Sequence, residues 1–108
     1  MFRGPAVLVG ADGELCLDLR PYPPLRSVND PRVTPAEASA FVRVRLAGVT
    51  FPKDREAASN ARDLLVLNVA GTLLTCIAQK RRGTVLDAEC SIDGVPMRRR
   101  LQDIGATP

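Results

Sequence analysis

The segment 41–52, FVRVRLAGVTFP, places the tightest constraint on the fold of this 108-residue chain. Its apolar residues alternate with Arg43 and Arg45, and this period of two predicts a strand with one apolar face. The apolar face comprises Val42, Val44 and Leu46. Two arginines on the open face of an otherwise apolar strand call for an explanation. The strand then runs into Gly48, where the backbone can bend or be closely approached.

A hairpin is predicted before this central strand. Residues 6–9 and 15–20 are typical of strands, and Asp12-Gly13 supplies the positive-φ position of a turn at 11–14. In the second strand the alternation predicts that Leu15, Leu17 and Leu19 face the core, and that Cys16, Asp18 and Arg20 face the other side.

A long Pro-rich loop is predicted at about residues 21–40. Its first residues, Pro21-Tyr-Pro-Pro, end the preceding strand, because proline cannot donate a hydrogen bond to a sheet ladder. Thr34-Pro35-Ala36-Glu37 has the pattern of a capping box, which predicts one helical turn over 35–40. A loop of this length is either functional and fixed by a partner, or a tolerated surface insertion.

The elements that follow the central strand complete the predicted fold. A helix is expected over 53–68, strands over 73–78 and 84–92, and a short helix over 96–104. Met97, Leu101 and Ile104 form the apolar stripe of that last helix. The whole chain, 1–108, has the length of one domain. The order β-β-β-α-β-β-α predicts a mainly β protein with a small five-stranded barrel of the OB type.

Composition excludes several kinds of chemistry. The chain has no histidine, which rules out Ser-His or Cys-His catalysis and histidine metal ligands. Cys16, Cys76 and Cys90 lack zinc-site spacing and are interpreted as buried free thiols. No metal and no cofactor are therefore predicted. The sequence has no apolar run of membrane-spanning length and no signal-peptide pattern, so we expect a cytoplasmic or assembly-associated protein without membrane contact.

Positive charge is clustered in a chain whose formal net charge is +3. The clusters are Arg43 with Arg45, then Lys80, Arg81 and Arg82, then Arg98, Arg99 and Arg100. Each cluster is open to two interpretations: a contact to phosphate, or a solvated turn or helix face. Arg45 has a third, a cross-strand ion pair with Glu14 or Asp18.

Several motifs resemble the staphylococcal-nuclease-like (thermonuclease) family. Val44-Arg45-Leu46-Ala47-Gly48-Val49 is similar to that family's VRLAGID strand, and Asp12-Gly13 to the start of its DGDT hairpin. Pro52 resembles the proline before its helix. The segments 83–94 and 95–106 resemble the strand and the closing segment of its barrel. The resemblance covers nearly the whole chain and implies the same OB-type barrel.

The same resemblance implies that catalysis has been lost. Members of the family cut phosphodiesters with a carboxylate-bound Ca²⁺, a glutamate base and two arginines that clamp the phosphate. Arg45 matches the first arginine, and Glu14 stands at a metal-ligand position. Thr50 replaces the other aspartate, Lys53 replaces the base, and Thr84 replaces the second arginine. We therefore expect no enzyme activity, and a Ca²⁺-dependent nuclease is the least favoured alternative.

Two classes of function remain. The favoured class is a structural or protein-interaction subunit of a larger assembly, for example a phage virion or a mobile-element complex. Its expected interaction surface comprises Tyr22, Pro23, Pro24, Arg98, Arg99 and Arg100. The alternative is an OB protein that binds DNA or RNA through Arg43, Arg45, Lys80, Arg81 and Arg82. Nucleic-acid-binding OB folds also need aromatic stacking platforms, and here only Phe41 and Phe51 lie near the relevant strand.

Overall fold

The computed structural model, which describes residues 1–107, shows a mainly β domain built around a closed ring of five strands. The strands are β1 (Phe2–Val9), β2 (Leu15–Leu17), β3 (Val42–Leu46), β4 (Leu73–Arg82) and β5 (Val85–Ile92). They pair antiparallel in the order β3-β2-β1-β4-β5, and a parallel pairing of β3 with β5 closes the ring. The predicted small barrel of the OB type is thereby confirmed.

Three helices and one short strand complete the domain. They are α1 (Pro35–Ala38), α2 (Arg55–Val69), β6 (Val95–Pro96) and α3 (Met97–Asp103). The predicted capping box of α1 is present, with Thr34 and Glu37 bonded reciprocally. Asp54, whose capping role the sequence analysis did not identify, begins α2 by accepting a hydrogen bond from the Ala57 amide. Among the helices of residues 1–107, none has the length and apolar character needed to cross a membrane.

The core fills the ring and is sealed by α2. Val44 and Leu46 of β3 point inward while Arg43 and Arg45 stay exposed, as the alternation predicted. Helix α2 adds Ala61, Leu65 and Val69, which recur every fourth residue along one face. Burying a leucine such as Leu65 contributes about 1.5–3 kcal/mol, so these few side chains hold the barrel together.

Two side chains predicted from periodicity lie on the opposite side from their expected one. Asp18 is only 1% exposed, although the alternation placed it outside. The reason is that β2 ends at Leu17, after which the Asp18 carboxylate turns in and binds the Arg20 side chain and amide. Ile104 is exposed and does not continue the apolar stripe, because α3 ends at Asp103.

The prediction of three free thiols is wrong for two of the cysteines. Cys76 of β4 and Cys90 of β5 form a disulfide. The register of the β4–β5 pair places them directly opposite each other, and both side chains point into the core. Two cysteines in facing positions of neighbouring strands are close enough to be bridged. Cys16 is the remaining free thiol and is half-buried.

The long loop after β2 is held by ion pairs rather than by secondary structure. Three carboxylates bind arginines of the same segment: Asp18 with Arg20, Asp30 with Arg32, and Glu37 with Arg26. Asn29 also ties the loop to β1: its amide donates to the Val7 carbonyl and its side chain accepts from the Val9 amide, both at 2.9 Å. The loop is thus fixed at both ends and in the middle.

Candidate functional site

The arginines of β3 lie on an outer face that extends over β2, β3, β5 and β4, which we call the charged face. Strand register aligns its side chains in two rows, because opposite residues on paired strands point to the same side. The rows are Arg43-Val85-Arg82 and Arg45-Asp87-Lys80. Glu14, at the end of the turn that leads into β2, borders this face. In an OB barrel, this side and the adjoining turns form the usual ligand surface.

Carboxylates neutralise the arginines of the charged face. The Nε of Arg43 donates to Glu14 Oε1 at 2.6 Å, and the Nε of Arg82 donates to Asp87 Oδ2 at 2.7 Å. Arg45 lies 3.6 Å from Asp12, measured from Nη2 to Oδ2. The expected partners of Arg45, Glu14 and Asp18, are instead bound to Arg43 and Arg20. All three arginines are therefore already paired.

Two cations without an ion pair lie at the end of the β4–β5 hairpin. Within residues 1–107, Lys80 and Arg81 form no ion pair, although Asp87 lies opposite Lys80 in the register. Residues 78–84 are all exposed, so this end of the hairpin projects beyond the core. Arg81 lies opposite Leu86, which places it on the other side of the hairpin from Lys80. The prediction that these basic residues form the turn is wrong: they lie in strand β4, which runs to Arg82, and their charge is on both sides of the hairpin.

A pocket of about 330 Å³ lies beside Arg45, between the first turn and the segment after β3. Asp12, Gly13, Thr50 and Phe51 contribute to its lining. Gly13 has a φ of +81°, and a Cβ there would overlap the Phe51 ring, so the turn packs directly on that ring. The geometry leaves this position no freedom to accept another residue.

Neither candidate stacking platform is open to a base. Phe51 is half-buried against Gly13. Phe41 is 7% exposed, and the Arg20 guanidinium sits above its ring at 6.0 Å from the centroid. A stacking platform must present a free ring face; Phe41 is buried beneath Arg20, and the Gly13 turn packs against part of the Phe51 ring.

The residues that the sequence analysis matched by resemblance to nuclease catalytic positions have other partners or surroundings. Glu14 is held by Arg43, whose Nη1 also lies 3.5 Å from Thr84 Oγ1. Thr50 lines the pocket and Lys53 is exposed. Across residues 1–107, no group of three or more acidic or cysteine side chains is placed to hold a metal ion.

The Cys16 thiol lies on the charged face, opposite Arg43 in the strand register. Burial raises the pKa of this thiol, and the nearby Arg43 only partly offsets that rise. A raised pKa keeps the sulfur neutral and poorly nucleophilic at neutral pH. The face therefore offers no activated nucleophile at this position.

The expected interaction residues are divided by the fold. Tyr22 is 95% exposed, whereas Pro23 and Pro24 line an apolar groove. The three arginines of α3 point to different neighbours: Arg98 to Glu89, Arg99 to Asp103, and Arg100 to Asn68 of α2. Those arginines do not form one docking surface with the loop.

The apolar groove is a feature that sequence patterns did not reveal. It lies between the Pro-rich loop and the start of β4, with a volume of about 200 Å³. Its apolar lining comprises Pro5, Ala6, Val7, Pro23, Pro24, Leu25, Val28 and Leu73. Leu25 has a fully exposed side chain in the middle of a polar and proline-rich segment. The only signal in the sequence was an isolated leucine directly after the prolines.

Comparisons with known proteins identify no relative of this chain. No protein-family model matches the chain, and searches of curated proteins and of solved structures find no significant similarity.

Proposed function

We propose that this chain is a non-catalytic OB-type module that acts by binding other protein chains, as a small subunit of a larger assembly. The observation that carries the proposal is the pairing of Arg43, Arg45 and Arg82 with carboxylates on the charged face. A surface that binds phosphate through arginines needs those guanidinium groups free or in exchange with solvent. Here a phosphate would have to displace a hydrogen-bonded carboxylate at Arg43 and at Arg82, and a looser, exposed one at Arg45.

The absence of catalysis in this proposal follows from the chemistry of Glu14. A Ca²⁺ site needs several oxygen ligands that are free to face the ion. Glu14 already accepts a charge-assisted hydrogen bond from Arg43, and such bonds are among the stronger ones in proteins. A metal ion would have to compete with Arg43 for Glu14. Thr50, which stands where the resemblance expects the second aspartate, offers only a neutral hydroxyl.

The exposed apolar side chains of the loop support protein binding. Tyr22 and Leu25 lie on a segment that three ion pairs hold in place, so presenting them to a partner costs little further ordering. Tyrosine is also among the residues that contribute most at protein interfaces. A pre-organised loop with exposed apolar groups is therefore suited to docking.

A binding experiment tests this proposal. A protein that co-purifies with the chain is identified, purified separately, and recombined with it to form a binary complex. We expect the double variant Tyr22→Ser/Leu25→Ser to weaken that complex by at least about tenfold. The matched control is Leu67→Ser, which removes a leucine that is 75% exposed on α2. Equal binding by both variants would exclude the loop as the docking surface. Failure to reconstitute any complex would contradict the proposal.

One observation favours nucleic-acid binding as a second candidate function. Lys80 and Arg81 carry no ion pair within residues 1–107, and they lie in β4 close to the β4–β5 turn, a loop that OB proteins use for oligonucleotides. Binding through these two cations would be weak and would fall steeply with salt. A titration with labelled DNA at low and at physiological salt separates this candidate from the first.

A further inference from the structure

One edge of β4 has no neighbouring strand over its second half. Strand β1 covers β4 only from Leu73 to Cys76, where Phe2 is the last paired residue. Strand β4 continues to Arg82 and is paired along 77–82 with β5 alone. Within residues 1–107, no backbone group outside this ladder bonds to 77–82. Half of the backbone groups of this stretch therefore face solvent as a template for another strand.

The pairing pattern identifies one of the free amides. Cys76 and Cys90 lie opposite each other with a Cα–Cα distance of 4.0 Å, the close spacing of a non-hydrogen-bonded pair. Such pairs alternate along an antiparallel ladder, so Ala78, two residues on, also directs its amide away from β5. That amide points to the free edge. A β-bulge between Ala78 and Lys80 then adds twist to the hairpin end.

The edge of β1 is covered by a loop residue, whereas the edge of β4 is not. The edge of β1 near Val7 and Val9 is closed by Asn29, whose amide and side chain take the place of a strand. Along β4 the edge stays open and is flanked by Lys80 and Arg81. Positive charges on an edge discourage pairing with another copy of the same chain, because like charges repel. They favour a strand of opposite charge instead.

We propose that the open edge of β4 at residues 77–82 binds an extended acidic segment of the partner protein by strand addition. This inference rests on the proposed function, since it assumes that the partner is a protein. Main-chain hydrogen bonds to the edge supply the affinity, and side chains supply the selectivity. Lys80 and Arg81 lie on opposite sides of the hairpin, so acidic residues on both sides of the added strand meet a cation.

An apolar contact fixes where the added strand begins. Ile77 is 58% exposed and lies on the outer side of β4, in the same row of alternating residues as Leu73. Leu73 belongs to the apolar groove, and Thr75, which accepts a hydrogen bond from Arg3 Nε, lies between it and Ile77. The segment we infer is thus acidic along most of its length, with an apolar β-branched residue beside Ile77.

The test uses a labelled peptide of about ten residues in which pairs of adjacent Glu residues are separated by single Val or Thr residues. Glu then lies on both sides of the extended peptide, which is long enough to cover the edge. A peptide with Lys in place of Glu is the charge control. The full chain carries any tag at its C-terminus, so that nothing added before Met1 extends β1 along the edge. We expect saturable binding of the Glu peptide at physiological salt and no binding of the Lys peptide.

Two sets of variants distinguish strand addition from simple charge attraction. Ala78→Pro removes the edge amide without removing a hydrogen bond to β5, and should weaken peptide binding by at least about tenfold, while Ala78→Ser should not. Lys80→Glu/Arg81→Glu should abolish binding of the Glu peptide and create binding of the Lys peptide. The control variant Lys53→Glu/Arg55→Glu makes the same change in charge outside the hairpin. It should still bind the Glu peptide and should not bind the Lys peptide.

Each outcome decides the inference. Hydrogen exchange of the Ala78 amide should slow when the peptide binds. If Ala78→Pro binds as tightly as the native chain and this amide stays unprotected, attraction is only electrostatic and the inference is overturned. If the chain dimerises through this edge, its occupant is a second copy. If the peptide fails but the Tyr22 and Leu25 interface holds a partner, the inference falls and the proposed function stands.

Discussion

The loop between β2 and β3 and the end of the β4–β5 hairpin both carry many charged residues, but they differ in backbone regularity and in whether those charges are paired. The loop has almost no regular structure, and its carboxylates at Asp18, Asp30 and Glu37 are all paired with arginines. The hairpin end is regular strand, but Lys80 and Arg81 have no ion pair within residues 1–107. The loop is thus ordered by paired side chains rather than by secondary structure, whereas the unpaired, solvated cations of the hairpin end are available to a partner.

The largest expected effect separates the core from both regions. Leu65→Ala removes a fully buried side chain and should lower the free energy of unfolding by about 2–5 kcal/mol. Ile77→Ala, at the hairpin, should change it by less than about 0.5 kcal/mol. Chemical denaturation followed by circular dichroism measures both. Equal losses would mean that the hairpin end is part of the core.

Removing the disulfide tests how far the barrel restrains the hairpin. The double variant Cys76→Ala/Cys90→Ala opens a loop of sequence separation 14 and should cost about 3 kcal/mol. The native chain in reducing buffer should show a similar loss, and Cys16→Ala should show far less. If reduction leaves stability unchanged, the covalent link adds nothing to the β4–β5 pairing.

A smaller effect is expected from the ion pair at the start of the loop. Asp18→Asn keeps the size of the side chain but removes the charge that binds Arg20, and should cost about 1–3 kcal/mol. The matched control is Asp103→Asn, at an exposed pair on α3. Equal effects of the two variants would show that the loop pair is no more important than a surface pair.

Acid should loosen the loop before the barrel. The hydrogen bond from the Arg32 side chain lowers the pKa of Asp30 from 3.8 to about 2, and the Arg20 side chain likewise lowers the pKa of Asp18. These carboxyls bind fewer protons in the folded chain, so their stabilisation is present above pH 3.8 and lost as pH falls toward 2. We expect Tm to fall over that range, and less so in Asp30→Asn. A parallel fall in that variant would exclude this pair as a cause.

The smallest effect belongs to the hairpin end. Lys80→Ala/Arg81→Ala removes two unpaired cations and should leave stability within about 0.5 kcal/mol, or raise it slightly by reducing like-charge repulsion. Thermal unfolding measures the change in stability. The contrasting variant is Arg20→Ala in the loop, which removes the partner of Asp18 and should lower stability. A clear loss of stability in the hairpin variant would mean that these charges have a structural partner.

The local pattern of the sequence predicted the helices and strands. Contacts between residues on different strands could not be predicted, because they depend on the strand register. The period of two in 41–52 correctly placed Arg43 and Arg45 outside and Val44 inside. The disulfide could not be foreseen, because the alignment of Cys76 with Cys90 depends on where β4 and β5 begin to pair. Asp18 was misplaced because the alternation holds only while the strand lasts, and β2 ends one residue earlier.

The candidate site shows the same division. The basic clusters were visible in the sequence, whereas their pairing was not, since Arg45 meets Asp12 only through the geometry of the first turn. The open edge of β4 was equally hidden, because the prediction ended that strand at residue 78 and the structure extends it to Arg82. Long-range pairing therefore decided which of the predicted charges remain free.

We propose that this barrel binds protein and does not act on nucleic acid. The most direct measurement is a titration of the purified chain with labelled single- and double-stranded DNA at physiological salt, with and without Ca²⁺. We predict no cleavage in either condition and no binding that survives physiological salt. Ca²⁺-dependent cleavage, or salt-resistant binding that Arg45→Ala weakens, would contradict the account.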